Sequence, residues 1–376
     1  NLNLSLDIKK NNLSRKLTNN NGRVNFEGLL KKSLKYKFSK IKNFNQLEPV
    51  ISFNKSNVIF FDNKGTVLQF DEKSKLIWKK NYYTKSEKKL DPILQFANNE
   101  RYLVVADNLS KYYMLDLQDG NLVWSKRNLA PFNSQIKIYK DRFFIIDFTN
   151  TLRCISMKNG EEIWSFQTET SFIRSQKKLS MVIVGDVIYF NNSLGDISAV
   201  NIEDGGLIWQ LPTTSNIIVE SSFSLETSEI IADQNNLFFS NNKNQFFSID
   251  IKSGNFNWVN KVNSNIRPTL VGKFLITVSL EGYLIVIDKI TGNIIKVTDV
   301  FNNFNPKKRD KILPEGFVVG KKNIYLTTNT GRLLVIDIKS GKTISTLKID
   351  NEKISRPFVL NKNLYLVKNN AIIKLN

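Results

Sequence analysis

The 376-residue chain contains no histidine and one cysteine, Cys154. The missing histidine removes the commonest general base and metal ligand, and every Ser-His-Asp or Cys-His arrangement. A lone cysteine forbids a disulfide framework. What remains at regular spacing is acidic. Residues 245–258 read QFFSIDIKSGNFNW: an alternating apolar run ends in Asp250, Ser253-Gly254 follow, and Trp258 closes the unit. An aspartate in that setting accepts hydrogen bonds from the backbone N–H groups of the turn after it. Its oxygens are then committed to the turn and are poor candidates for a calcium cluster, which needs several convergent oxygen ligands. The chemistry on offer is therefore binding. For Cys154, a buried structural thiol is the expectation.

The same unit recurs along the chain. It gives YYMLDLQDGNLVW at 112–124, LRCISMKNGEEIW at 152–164, DISAVNIEDGGLIW at 196–209 and a shorter VLQFDEKSKLIW at 67–78. Two later copies, YLIVIDKITGNIIK at 283–296 and LLVIDIKSGKTIS at 333–345, keep Asp and Gly but lose Trp. All five tryptophans, Trp78, Trp124, Trp164, Trp209 and Trp258, occupy this one position. Self-similarity at about 40–50 residues marks a propeller or another repeat array. Gly120, Gly160, Gly205, Gly254, Gly292 and Gly341 fit a turn position needing φ > 0. The indoles are expected to cover the junction with the next blade. Small residues two before the Asp position, Cys154, Ala199 and Ser248, are the expected floor for a neighbouring indole. Because blade 6 carries Lys296 in place of Trp, the junction facing Trp258 is expected to be looser.

Short alternating runs bounded by turn residues give seven modules of four strands between residues 50 and 347. After Arg356 only three strands remain, at 358–360, 364–367 and 371–375. An orphan strand at 34–41 supplies the fourth. The expected fold is all-β: an eight-bladed β-propeller of four-stranded antiparallel blades at residues 33–376. Its last blade is closed by the N-terminal strand, which leaves no open edge. Residues 1–32, polar and rich in Lys and Asn, read as a flexible or loosely docked basic arm, and deletion of residues 1–30 is expected to be nearly neutral.

Lys and Arg exceed Asp and Glu by 54 to 34, a formal charge of +20. Dispersed over a long surface, this reads first as compositional bias toward Lys, Asn and Ile, and second as affinity for nucleic acid or an anionic surface. Tyr82-Tyr83 beside Lys79 and Lys80 is the one hint of the stacking aromatics that nucleic-acid binders use. The PKKR run at 306–309 reads as a solvated loop. No apolar run approaches the ~20 residues of a membrane helix.

The A-x-D-x-x-[ST]-G-x-x-x-W pattern, in seven registered copies, resembles the tryptophan-docking repeat of quinoprotein-like (PQQ-like repeat) eight-bladed propellers across nearly the whole chain. One branch holds dehydrogenases that bind pyrroloquinoline quinone and calcium. Those are larger, and their hallmark vicinal disulfide cannot form with one cysteine. The other branch, similar in length, is the BamB family. That resemblance implies a non-catalytic periplasmic scaffold of the outer-membrane β-barrel assembly machinery. It implies no cofactor, no nucleic acid, a monomer by itself, and peripheral attachment at the outer membrane through a lipoprotein anchor that this sequence does not contain. The implied partner is the POTRA repeats of the barrel-forming subunit, held by loops on one propeller face. Phe172, Ile173 and Arg174, ahead of the fourth blade, match the family's Leu-Arg contact. Glu226 and Glu229 lie near its acidic contact ahead of the fifth, although the family's Asp pattern is absent there.

Overall fold

A computed structural model describes residues 16–169, 177–213 and 225–376. Their strands form eight four-stranded antiparallel sheets, seven of them with strands in chain order and the eighth completed by the N-terminal strand. Blades 1 to 7 cover residues 52–80, 94–127, 137–167, 181–211, 231–260, 269–299 and 314–348. The inner strand of each blade descends along the central channel. The loop from the outer strand of one blade to the inner strand of the next therefore returns to one face. We call this the crossover face, and the opposite one the hairpin face.

Blade 8 is composite, as its strand arithmetic requires. Phe358–Leu360, Asn363–Lys368 and Ala371–Leu375 pair in sequence, and Lys32–Lys37 completes the sheet against Ala371–Leu375. The N-terminal strand is shorter than the alternation implies. Residues 38–41 leave the sheet, and Phe38 and Ile41 instead donate backbone hydrogen bonds to Asn370 and Asn369. The two middle strands of each blade are apolar on both sides, because the blades sandwich them. In Asn57–Phe61 and Phe274–Val278 nearly every residue is buried. The buried side chains form clusters that run from blade to blade around the ring.

The tryptophans bind blades together through a geometry that differs in one respect from the expectation. Each indole lies over the turn glycine of the following blade. A Cβ built on Gly120, Gly160, Gly205, Gly254 or Gly292 would fall 2.5–2.7 Å from the ring of Trp78, Trp124, Trp164, Trp209 or Trp258. Those glycines also sit at φ 72–75°, so two independent constraints exclude a side chain. Each indole N–H donates to the carbonyl just after the repeat's Asp position, as from Trp209 to Ile251 at 3.0 Å and Trp258 to Lys289 at 3.0 Å. The small residues Cys154, Ala199 and Ser248 instead face the tryptophan of their own blade across the strand pair.

Two corrections follow. Trp258 docks on blade 6 as fully as its counterparts dock elsewhere. The next junction lacks an indole: Lys296 donates to the carbonyl of Lys339, and Thr298 and the Lys296 stem meet Gly341. The composite blade has a docking residue that was missed. Tyr36, fully buried, donates from its hydroxyl to the Glu72 carbonyl at 3.2 Å. Glu72 follows Asp71 as Ile251 follows Asp250, so a tyrosine does the indole's work at the seam.

The aspartates behave as turn acceptors. Asp250 Oδ1 accepts from the N–H groups of Lys252 and Ser253, and Asp288 Oδ1 from Ile290 and Thr291. Those N–H groups hold both carboxyls below their ordinary range. A second series on the crossover face uses Asp62, Asp107, Asp147 and Asn192 in the same way.

Candidate functional site

The crossover-face mouth of the channel is where the fold gathers charge. Its residues come from the segments that lead into inner strands, and a repeated device aims them. Ser134, Ser228 and Ser355, all buried, each accept from a backbone N–H of the second strand of their own blade: Ile146 at 2.8 Å, Ser240 at 2.9 Å and Val367 at 2.9 Å. Ser264 makes the matching contact by donating to the Val278 carbonyl at 2.8 Å. With the serine fixed outward, the next residue points inward along the alternation of an extended chain. Those next residues are Gln135, Glu229, Asn265 and Arg356. The signal in the sequence is a Ser followed by a polar residue ahead of four of the eight inner strands, at NSQ, TSE, NSN and ISR. Sequence reasoning passed over it.

Three carboxylates at the mouth each have a cation of their own. Glu48 pairs with Lys177 at 3.1 Å, Glu229 with Arg267 at 3.1 Å, and Glu315 with Lys353 at 2.9 Å. Glu226 accepts from the Asn265 amide, and Lys177 donates to the Asn265 carbonyl. Burial alone would raise Glu48, but Lys177 and Lys178 more than offset it and hold its carboxyl below the ordinary range. Burial prevails at Glu315, which is raised despite Lys353. Glu226 and Glu229 are thus placed at the channel mouth, with Glu229 in an internal ion pair. Phe172, Ile173 and Arg174 lie outside the described residues. The residues that flank them, Thr168 and Lys177, belong to a crossover-face connection.

Below the mouth, the described part of the N-terminal arm occupies the channel rather than hanging free. Inner strands carry unpaired backbone groups on their channel edge, and the arm's asparagines meet them. Asn19 Nδ2 donates to Met181 O at 3.1 Å, Ile230 O at 2.9 Å and Gln135 Oε1 at 3.0 Å. Asn20 Oδ1 accepts from Leu270 N at 3.1 Å. Arg23 donates to the Gly320 carbonyl, Val24 N to Val319 O at 2.8 Å, and Phe26 stacks edge-to-face on Tyr325. Lys137 reaches down to the Lys16 carbonyl and to Asn19 Oδ1.

Other candidates are absorbed by packing. Tyr83 is buried and its hydroxyl donates to Asp107 at 2.5 Å; Tyr82 donates to the Gly120 carbonyl at 2.6 Å. Neither ring is free to stack on a base. The PKKR run is a short helix, Pro306–Arg309, rather than a plain loop. Arg309 grips Asp299 through two hydrogen bonds at 2.7 and 2.9 Å. Cys154 is fully buried, and burial pushes its thiol up to about 12. Among the described residues no three His, Cys, Asp or Glu side chains gather to hold a metal, and no helix is long and apolar enough to cross a membrane.

Comparison with known proteins agrees with this geometry. A family model described as outer membrane protein assembly factor BamB matches residues 63–298. The BamB of Legionella pneumophila (strain Paris) is 22% identical over 210 residues, 53% of this chain and 50% of that protein. The BamB of Shewanella oneidensis is 20% identical over 257 residues, 67% and 62% respectively. The matched chain thus spans about half to three fifths of these relatives' length. The crystal structure of BamB from Moraxella catarrhalis superposes with a TM-score of 0.73 at 15% identity, covering 91% of this chain and 100% of that one. Quinohemoprotein alcohol dehydrogenase from Comamonas testosteroni reaches 0.68 at 10% identity, covering 94% and 78%. At these identities the structural likeness speaks for the fold alone, and the family rests on the sequence match. The chain belongs to the outer membrane protein assembly factor BamB family.

Proposed function

We propose that this protein is a non-catalytic scaffold of outer-membrane β-barrel assembly, working in the periplasm at the outer membrane and monomeric by itself. Its partner is a POTRA-containing barrel assembly protein, docked through the crossover-face loops. The family match over residues 63–298 carries this reading. The site chemistry supports it: the repeat aspartates are spent on turn amides, and the thiol is buried and protonated. A rigid ring presenting variable loops on one face is a frame for recognition. Arg174, a planar fork of donors, is the side chain proposed to meet partner carboxylates or backbone carbonyls, with Phe172 and Ile173 as its apolar neighbours. Glu226 and Glu229 flank the adjacent crossover segment. The test is retention of the protein on an immobilised POTRA segment. Retention by wild type supports the scaffold; none, with both proteins folded, overturns it while leaving the propeller intact.

A further inference from the structure

At the channel mouth the cations outnumber the acids available to them. Among the described residues, once Glu48, Glu229 and Glu315 are matched to Lys177, Arg267 and Lys353, and Glu226 is set against the Asn265 amide, three cations remain. Lys178 donates to a neutral acceptor, the Glu48 carbonyl, at 3.1 Å. Lys137 donates to the Lys16 carbonyl and the Asn19 amide oxygen. Arg356 stands 3.9 Å from Glu229 Oε2, the oxygen that Arg267 approaches to 3.1 Å, and among the described residues its buried Nη1 has no hydrogen-bond acceptor. A buried cation without an acceptor is costly. Lys178 and Arg356 line one cavity with Arg267 and the paired carboxylates Glu48, Glu229 and Glu315, and the arm closes the channel beneath it.

We propose that this mouth is an oxyanion-binding socket, in which Arg356 and Lys178, backed by Lys137, receive one carboxylate or sulfate-like group entering from the crossover face. The guanidinium supplies a directional donor and the ammonium groups supply point charge. An incoming anion gives Arg356 Nη1 the acceptor it lacks and neutralises like charges that the fold holds together. The electrostatics agree. Burial, with a contribution from Arg356, brings Lys178 down to about 8, against the pull of Glu48 and Glu229. Burial, with Arg356 and Lys16, brings Lys137 down to about 7, against Glu229. Anion affinity should therefore fall as pH rises from about 6.5 to about 8.5, because both ammonium groups lose protons over that range.

The test is isothermal titration of the full chain with sulfate, which keeps its charge over this pH range, at constant ionic strength against chloride. One saturable site is expected. Arg356→Met and Lys178→Met should each weaken it by about tenfold or more, and Glu229→Gln should tighten it by releasing Arg267. Arg356→Lys, which keeps the charge and loses the fork, serves if Arg356→Met does not fold, and should weaken the site less. No saturable heat beyond chloride, or equal affinity in the arginine variants, overturns the socket. A short peptide carrying Asp and Glu, tested beside its amide counterpart, identifies the source. Binding that sulfate displaces assigns the group to an acidic side chain of a partner. Sulfate binding with no peptide binding assigns it to a free anion. The socket requires no POTRA docking, so failure of that docking leaves it standing.

Discussion

The blade junctions and the channel mouth are built on opposite plans. At the junctions one solution repeats: an indole over a glycine at φ near 73°, with its N–H on a fixed carbonyl. At the mouth the blades contribute charges of both signs, Glu48 from the approach to blade 1, Glu229 from blade 5, Arg267 from blade 6 and Arg356 from blade 8. Repetition serves closure: five of the eight seams carry the indole, and Tyr36 reproduces its contact where the ring meets itself. Variety serves recognition, because a ring of identical charges would repel itself. The two plans meet in the serines, which repeat like the tryptophans yet exist to aim residues that do not.

The sharpest way to break the contrast is to open the ring. Deleting residues 1–45 removes Lys32–Lys37 and bares the edge of Ala371–Leu375. Cooperative unfolding should be lost, and aggregation should replace it. Deleting residues 1–28 leaves that strand but removes Asn19, Val24 and Phe26 from their buried sites. We expect a clear drop in the unfolding midpoint with the ring still closed, not the neutrality that the polar composition alone implies.

Substitution at a seam comes next. Trp209→Ala should cost about 3–5 kcal/mol in denaturant unfolding. Trp258→Ala should cost a similar amount, since its ring is docked on Gly292 in the same way. A markedly smaller loss at Trp258 would show that blade 6 lacks a proper seat.

The mouth answers to pH where the junctions do not. Lys137 titrates at about 7 in the folded protein against an ordinary 10.5. Between those values the unfolded chain binds the proton and the folded one does not. Stability should therefore rise as pH increases from about 7 toward about 10, and the penalty is full below 7. Lys137→Met should flatten that slope, measured by chemical denaturation across the range. An unchanged slope would mean that the ammonium is not held as the channel geometry requires. The smallest effect is expected at the composite seam, where Tyr36→Phe loses only the hydrogen bond to Glu72 and should cost about 1 kcal/mol.

The repeated half of this molecule could be read from the chain, and the reason is physical. A seam that recurs imposes the same residues at the same spacing, so Trp, Gly and Asp announce the blades and their number. The three-plus-one strand count of blade 8 followed from the same arithmetic. Tyr36 was hidden because it fills a seam with a different residue, in a strand far from its blade in sequence. The arm's seat was not legible because Asn and Lys normally mark solvated chain, whereas the channel offers the described part of the arm Met181 O, Ile230 O and Leu270 N as partners. The mouth was invisible because its residues converge from segments hundreds of positions apart, with no spacing to register. The serines alone could have pointed to it.

The central claim is that recognition belongs to the crossover face. It is tested most directly by POTRA-segment affinity for two charge reversals on opposite faces. Arg174→Glu falls in the sequence between Thr168 and Lys177 and is proposed to meet the partner; Lys158→Glu lies in an exposed turn of blade 3 on the hairpin face. With both variants matching wild type in unfolding midpoint, Arg174→Glu should weaken binding by at least about 1.5 kcal/mol, roughly tenfold, and Lys158→Glu should leave it unchanged. Equal losses, or a loss confined to Lys158→Glu, would contradict the claim.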